Sequence, residues 1–153
     1  MFNKVIIFLI INFSALAIGQ VFTGKGVVSE WYQLLDKAPW TPPGWVFGAA
    51  WTTIMICFSV YMAYAWEKIS KHRSLLFIFV VQWILNVAWN PVFFYFQNVL
   101  LGLAVITSLT GVVVGIFLLY KEELKTKSFL IVPYGLWLLI ATSLNAYILV
   151  MNP

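Results

Sequence analysis

Residues 37–66 read KAPWTPPGWVFGAAWTTIMICFSVYMAYAW, and this stretch decides the fold class. Its first fifteen residues hold three prolines and three tryptophans, a stiff, ring-rich approach. From Trp45 to Trp66 no Asp, Glu, Lys, Arg or His interrupts the run. Twenty-two such residues match the ~20 that a helix needs to cross ~30 Å of hydrocarbon. The question is whether the stiff approach merely plugs the membrane edge or forms a lid over a site.

Working outward, four more charge-free runs occur, at 5–22, 75–96, 99–120 and 128–151. They are too long and unbroken for the alternating strands of a membrane barrel. The whole 153-residue chain is 63% hydrophobic and 9% charged, with mean hydropathy +0.95. So little charge could not cover a soluble domain, and in hydrocarbon the backbone must satisfy itself within helices. The reading is one domain: an all-α integral membrane protein, a five-transmembrane-helix bundle with a long loop at 23–43. The first run also has the basic start, apolar core and Ala15-Leu16-Ala17 of a secretory signal. Its span-long length favours a retained first helix.

With five spans, Lys4, Lys68, Lys71, Arg73, Lys121, Lys125 and Lys127 fall on one side, leaving only Lys25 and Lys37 opposite. The positive-inside rule then puts the N-terminus in the cytoplasm and the C-terminus outside, best suited to a bacterial plasma membrane. The net charge of +4 is accounted for by topology and anionic headgroups, without nucleic acid. One cysteine, Cys57, excludes an internal disulfide, and no metal site is expected. The single histidine, His72, lies between Lys71 and Arg73 and reads as a headgroup-level residue.

The uncharged spans argue against an ion-coupled pump and against acid–base hydrolysis inside the bundle. What they offer instead is rings and amides. The chain has 8 Trp, 7 Tyr and 13 Phe, and membrane-edge belts explain many of them. Trp51, Trp83, Trp89 and Trp137 lie deeper, where a ring either packs on a neighbouring helix or faces a cavity. In VQWILNVAWNPVFF, Gln82, Asn86, Trp89 or Asn90, and Phe93 share one helical face. An amide in hydrocarbon needs a partner, so this face meets either another helix or a ligand. Pro91 is expected to bend the helix beside it. Pro133, Trp137, Ala141 and Asn145 form a similar stripe of bend, ring, small residue and amide. Gly111 and Gly115, continued by Thr107, suit close packing within the bundle or a homodimer.

Three segments in order, WYQLLDKAPWTPPGWVFGAAWT, the Q…N..WNPVFF run and PYGLW…AT.LNAY, resemble the TspO/MBR family of tryptophan-rich sensory proteins and translocator proteins. The resemblance runs from Trp31 to Asn145. It implies a homodimeric five-helix bundle whose long first loop closes a pocket for porphyrins and drug-like ligands. By similarity Trp51 and Trp137 are the paired indoles of that pocket and the residues of a photochemical step. Tyr32, Trp40, Met55, Gln82, Asn86, Trp89, Phe93, Ala141 and Asn145 complete its wall. No cofactor is required; a porphyrin is ligand or substrate, and membrane lipids are the other partners. The implied activities are porphyrin binding with light- and oxygen-dependent degradation, or else passive carriage or stress sensing of tetrapyrroles, lipids or sterols. A purely structural role, predicting no saturable ligand, is the contrasting class. The C-terminal sterol pattern of animal relatives is incomplete here, because Leu144 and Tyr147 are followed by ILVMNP with no cation.

Overall fold

A computed structural model describes residues 1–153. The elements, in order, are α1 (Phe2–Gly26), the short α2 (Glu30–Leu34), α3 (Gly44–Lys68), α4 (His72–Asn90), α5 (Val99–Leu124) and α6 (Val132–Met151). Four stretches are long and apolar enough to span a bilayer: Phe2–Gly26, Gly44–Lys68, His72–Tyr95 and Val99–Met151. The last runs for 53 residues, far beyond one crossing at about 1.5 Å per residue. Lys125, at φ 49° and ψ −122°, breaks it after α5. A 3-10 segment, Lys125–Ile131, then leads into α6, which packs back along α5. The result is the expected all-α membrane bundle.

Helix α1 runs antiparallel to α3 and parallel to α4. Asn12 Nδ2 donates to Ser59 Oγ at 2.8 Å, while Phe8 meets the ring of Phe79 edge-on at 5.2 Å. The amide of Asn12 and the hydroxyl of Ser59 thereby satisfy each other in a buried setting, where an unpaired group would cost about 1–3 kcal/mol. Nearer the other end, Thr23 Oγ1 donates to Asn90 Oδ1 at 2.7 Å, and Gly19 leaves the room that Asn90 fills. The best-packed region lies toward the membrane face that holds the N-terminus. Phe58, Tyr61, Met62, Leu75 and Ile116 are fully buried there.

Three local readings need correction. The lid loop does not begin at residue 23, because α1 continues to Gly26, and α2 lies within the loop. Ser29 caps α2, its Oγ accepting from the Tyr32 N–H at 3.3 Å. Pro91 does not leave a simple bend. The chain passes into a π-helical turn, Pro91–Tyr95, in which Phe96 N–H reaches the Pro91 carbonyl at 2.9 Å. Pro91 has no N–H to give the Val87 carbonyl, and the regular α-helical ladder ends there. Pro133 occupies the first turn of α6, where its missing N–H has no intrahelical partner to lose, so it starts the helix instead of bending it.

Candidate functional site

The inward faces of α3, α4 and α6, with α2 above them, bring most of the expected wall residues into two adjoining groups. The upper group lies under the lid. Trp89 Nε1 donates to Asn145 Oδ1 at 3.0 Å, and Asn145 Nδ2 donates to the Val99 carbonyl at 2.9 Å. The Trp89 ring stacks on Phe93 at 5.0 Å and 17°. Phe93 is covered from above by Trp31 at 5.6 Å and Tyr32 at 6.5 Å, both edge-on. Gly102 of α5 completes the close approach. A Cβ there would stand 3.1 Å from Asn145 Oδ1 and 3.3 Å from Phe93 Cδ2. Burial raises the Tyr32 phenol above its ordinary value of 10.0, so the lid meets this group as a neutral ring.

The lower group centres on Tyr134. Gln82 Nε2 donates to its hydroxyl at 2.6 Å. The Trp51 ring meets Tyr134 edge-on at 5.9 Å and 75°, whereas Trp137 meets Phe47 at 5.3 Å and 83°. Each deep indole therefore packs on a different ring. Met55 is completely buried in the core beneath, and half-buried Ala141 packs against it. Trp40 stands apart from both groups. It lies on the outer flank of α6, its Nε1 donating to Ser143 Oγ at 3.1 Å and its ring edge-on to Tyr147 at 5.3 Å. Sequence reasoning passed over Tyr134, Phe47, Trp31 and Ser143. Tyr134 carried a signal, being three residues before Trp137 on one face of α6.

Polar satisfaction separates the two groups. In the upper one the amide of Asn145 is spent on protein. In the lower one, buried Gln82 Oε1 and Trp137 Nε1 have no hydrogen-bond partner. The side chain of Asn86, one turn from Gln82, makes no hydrogen bond to protein, but its amide atoms are not sealed as those two are. Each such group costs about 1–3 kcal/mol when buried. Trp137 also lines a groove of about 420 Å³ between α3 and α6, with Ala49, Ala50, Thr53, Leu136 and Ile140 among its walls. Its volume lies in the usual range for small-molecule sites, about 300–1,000 Å³. Trp137 is the one expected wall residue on this groove; Trp51, Gln82 and Asn86 are not among its walls, which are apolar apart from Thr53.

Comparison with known proteins agrees with this architecture. The TspO/MBR family model matches residues 6–151. The chain is 35% identical to the tryptophan-rich protein TspO of Archaeoglobus fulgidus over 88% of its own length and 87% of the relative's. It is 30% identical to protein CrtK of Rhodobacter capsulatus, covering 90% and 85% of the two chains. It is also 28% identical to the translocator protein of Homo sapiens, covering 80% and 73%. On the family match, the relatives and the helical bundle together, the chain is an integral membrane protein and belongs to the TspO/MBR family.

Proposed function

We propose that the protein binds a flat, largely apolar ligand of the porphyrin class between α3, α4 and α6, beneath the lid formed by residues 27–43. The observation that carries the reading is the unpaired pair of polar atoms, Gln82 Oε1 and Trp137 Nε1, buried among rings. Protein interiors seldom leave such groups unsatisfied, and a functional site is where they persist. A porphyrin supplies apolar faces for Trp51 and Trp137, pyrrole N–H donors, and carboxylates for the indole N–H.

Titration of the purified protein with protoporphyrin tests this. The expected result is a saturable red-shifted absorption band with quenched tryptophan emission. Trp137→Phe keeps an aromatic ring but loses the N–H, and should weaken binding by about 3–10-fold, the worth of one neutral hydrogen bond. A titration without saturation rejects the reading. The reactive output we favour is light- and oxygen-dependent breakdown of the bound ring, which needs no acid–base pair. Illumination in air, followed by loss of the porphyrin band in native protein but not in Trp51→Phe or Trp137→Phe, supports it. Stable porphyrin under light assigns the protein to passive carriage or sensing.

We further propose a homodimer along α5, whose Gly111 and Gly115 open onto empty space on an outward face. The excess of cations on the face bearing Lys4, Lys68 and Lys127 supports a cytoplasmic position for that face in a bacterial cell.

A further inference from the structure

At the membrane face opposite the lid, the start of α1, the end of α3 and the turn into α4 enclose a cleft of about 570 Å³. Lys4, Trp66, Glu67, Lys68, Ser70 and His72 lie on its walls. Its one carboxylate is already shared. Glu67 Oε1 accepts from Lys4 Nζ at 3.3 Å and from the Met1 ammonium at 2.8 Å. These are the only ion pairs in the chain, so Lys68 on the wall, and Lys71 and Arg73 beside it, have no carboxylate partner. The cleft therefore carries more positive than negative charge, and Lys68 is free to take an anion.

The walls are also held in shape. The imidazole of His72 stacks on Trp66 at 4.6 Å and 2°, and its Nε2–H donates to the Trp66 carbonyl at 2.9 Å. This contact pins the turn that presents Lys68 and Ser70. Buried Ile69 and the half-buried Trp66 indole form an apolar floor beneath the cations. The opposite membrane face differs. There Lys37 lies 4.8 Å over the Tyr32 ring and donates to the Leu35 carbonyl, so it is already engaged, and Lys25 alone is without a partner.

Cations above an apolar floor, where the charge-free run of α3 ends, match the phosphate layer and upper glycerol region of one leaflet. We infer that this cleft is a headgroup site for an anionic phospholipid, its phosphodiester taken by Lys68 with the Ser70 hydroxyl as a further donor, and Lys4, held beside them by Glu67, adding positive charge. The site is separate from the proposed porphyrin pocket, and its test needs no porphyrin.

Native mass spectrometry of the full chain, incubated with phosphatidylglycerol or phosphatidylcholine, reads the site directly. The expected result is preferential retention of one phosphatidylglycerol. Lys68→Gln and Lys4→Gln should each lower it by about fivefold. The Lys121→Gln/Lys125→Gln pair, on the same membrane face but outside the cleft, should leave it unchanged. Lys68 makes no intramolecular hydrogen bond or ion pair, so Lys68→Gln alone decides the matter if the Lys4 variant folds poorly. Equal loss from the Lys121/Lys125 pair would reduce the effect to diffuse surface charge and overturn the site. Displacement of the lipid by excess inorganic phosphate would overturn the lipid assignment in favour of a free anion.

Discussion

Asn152, just beyond α6, holds the lid by its backbone. Its Oδ1 accepts from the Asp36 N–H at 2.9 Å, and its Nδ2 donates to the Asp36 carbonyl at 3.1 Å. A second Nδ2 bond, to the Ile148 carbonyl at 2.9 Å, fixes the amide for this task. Asn152→Ala removes both lid bonds without touching the rings below. Each is worth about 0.5–1.5 kcal/mol net, and at an exposed site the lower half of that range applies, giving about 1–2 kcal/mol together. At 1.4 kcal/mol per decade, the population with this part of the lid open rises by about 5–30-fold. Hydrogen exchange at the Asp36 amide reads that population, because local opening governs exchange there. The change should remain local. Trp40 keeps its Ser143 bond, and Thr41 N–H keeps the Ala38 carbonyl at 2.9 Å, so protection at Thr41 should persist. Exchange at Asp36 within about twofold of wild type would refute the latch. By releasing the latch, the same substitution should accelerate porphyrin association and dissociation together, since it alters access more than contact.

Four other substitutions probe the rest of the bundle. Gly26→Ala drives a Cβ into the Phe94 ring under the lid, and thermal unfolding should show about 1–3 kcal/mol of lost stability; Gly111→Ala, with nothing near its Cβ, should be silent in the monomer. Asn86→Leu removes a buried amide that the protein does not pair, so the ligand-free melting temperature should hold or rise by about 2–4 °C while porphyrin affinity falls about tenfold. The neutral Tyr32 phenol stabilises the lid below its unfolded value of 10.0, and that contribution is lost as pH rises through the raised folded value. Alkaline loosening, measured by lid proteolysis, should therefore be blunted in Tyr32→Phe.

How much of this could be read in advance follows from the range of the forces involved. The spans were legible because each is a continuous charge-free run, a property that needs no knowledge of neighbours. The face of α4 was legible too: Gln82, Asn86 and Phe93 are all buried, as a single helical stripe requires. Proline was ambiguous because its effect depends on where the helix starts. Pro133 in a first turn and Pro91 past nineteen helical residues have opposite consequences. Helix α2 escaped notice because five residues show no periodicity, although Ser29 followed by Glu30 is a capping signal. The ring partners of Trp51 and Trp137 could not be deduced. Tyr134 and Phe47 meet them through helix packing between segments more than eighty residues apart. Asn152 carried no signal at all, since an isolated amide near a chain end has none.

The bundle divides its stability unevenly, and the division bears on function. Toward the N-terminal face, Phe58, Tyr61, Met62, Leu75 and Ile116 are sealed from solvent, and Lys4 ties α1 to α3 through Glu67. Toward the lid lie the irregular features: the π turn at Pro91–Tyr95, Gln97 at φ 52°, and a lid helix of five residues. Between the two halves sit the unpaired Gln82 and Trp137 atoms. A π turn has register to lose or gain, and such turns gather at functional sites. A ligand that satisfies the orphaned atoms can therefore change packing on the lid side without disturbing the sealed half. Binding should then slow exchange in α2, the π turn and the lid, while the amides around Phe58 and Ile116 keep their ligand-free rates.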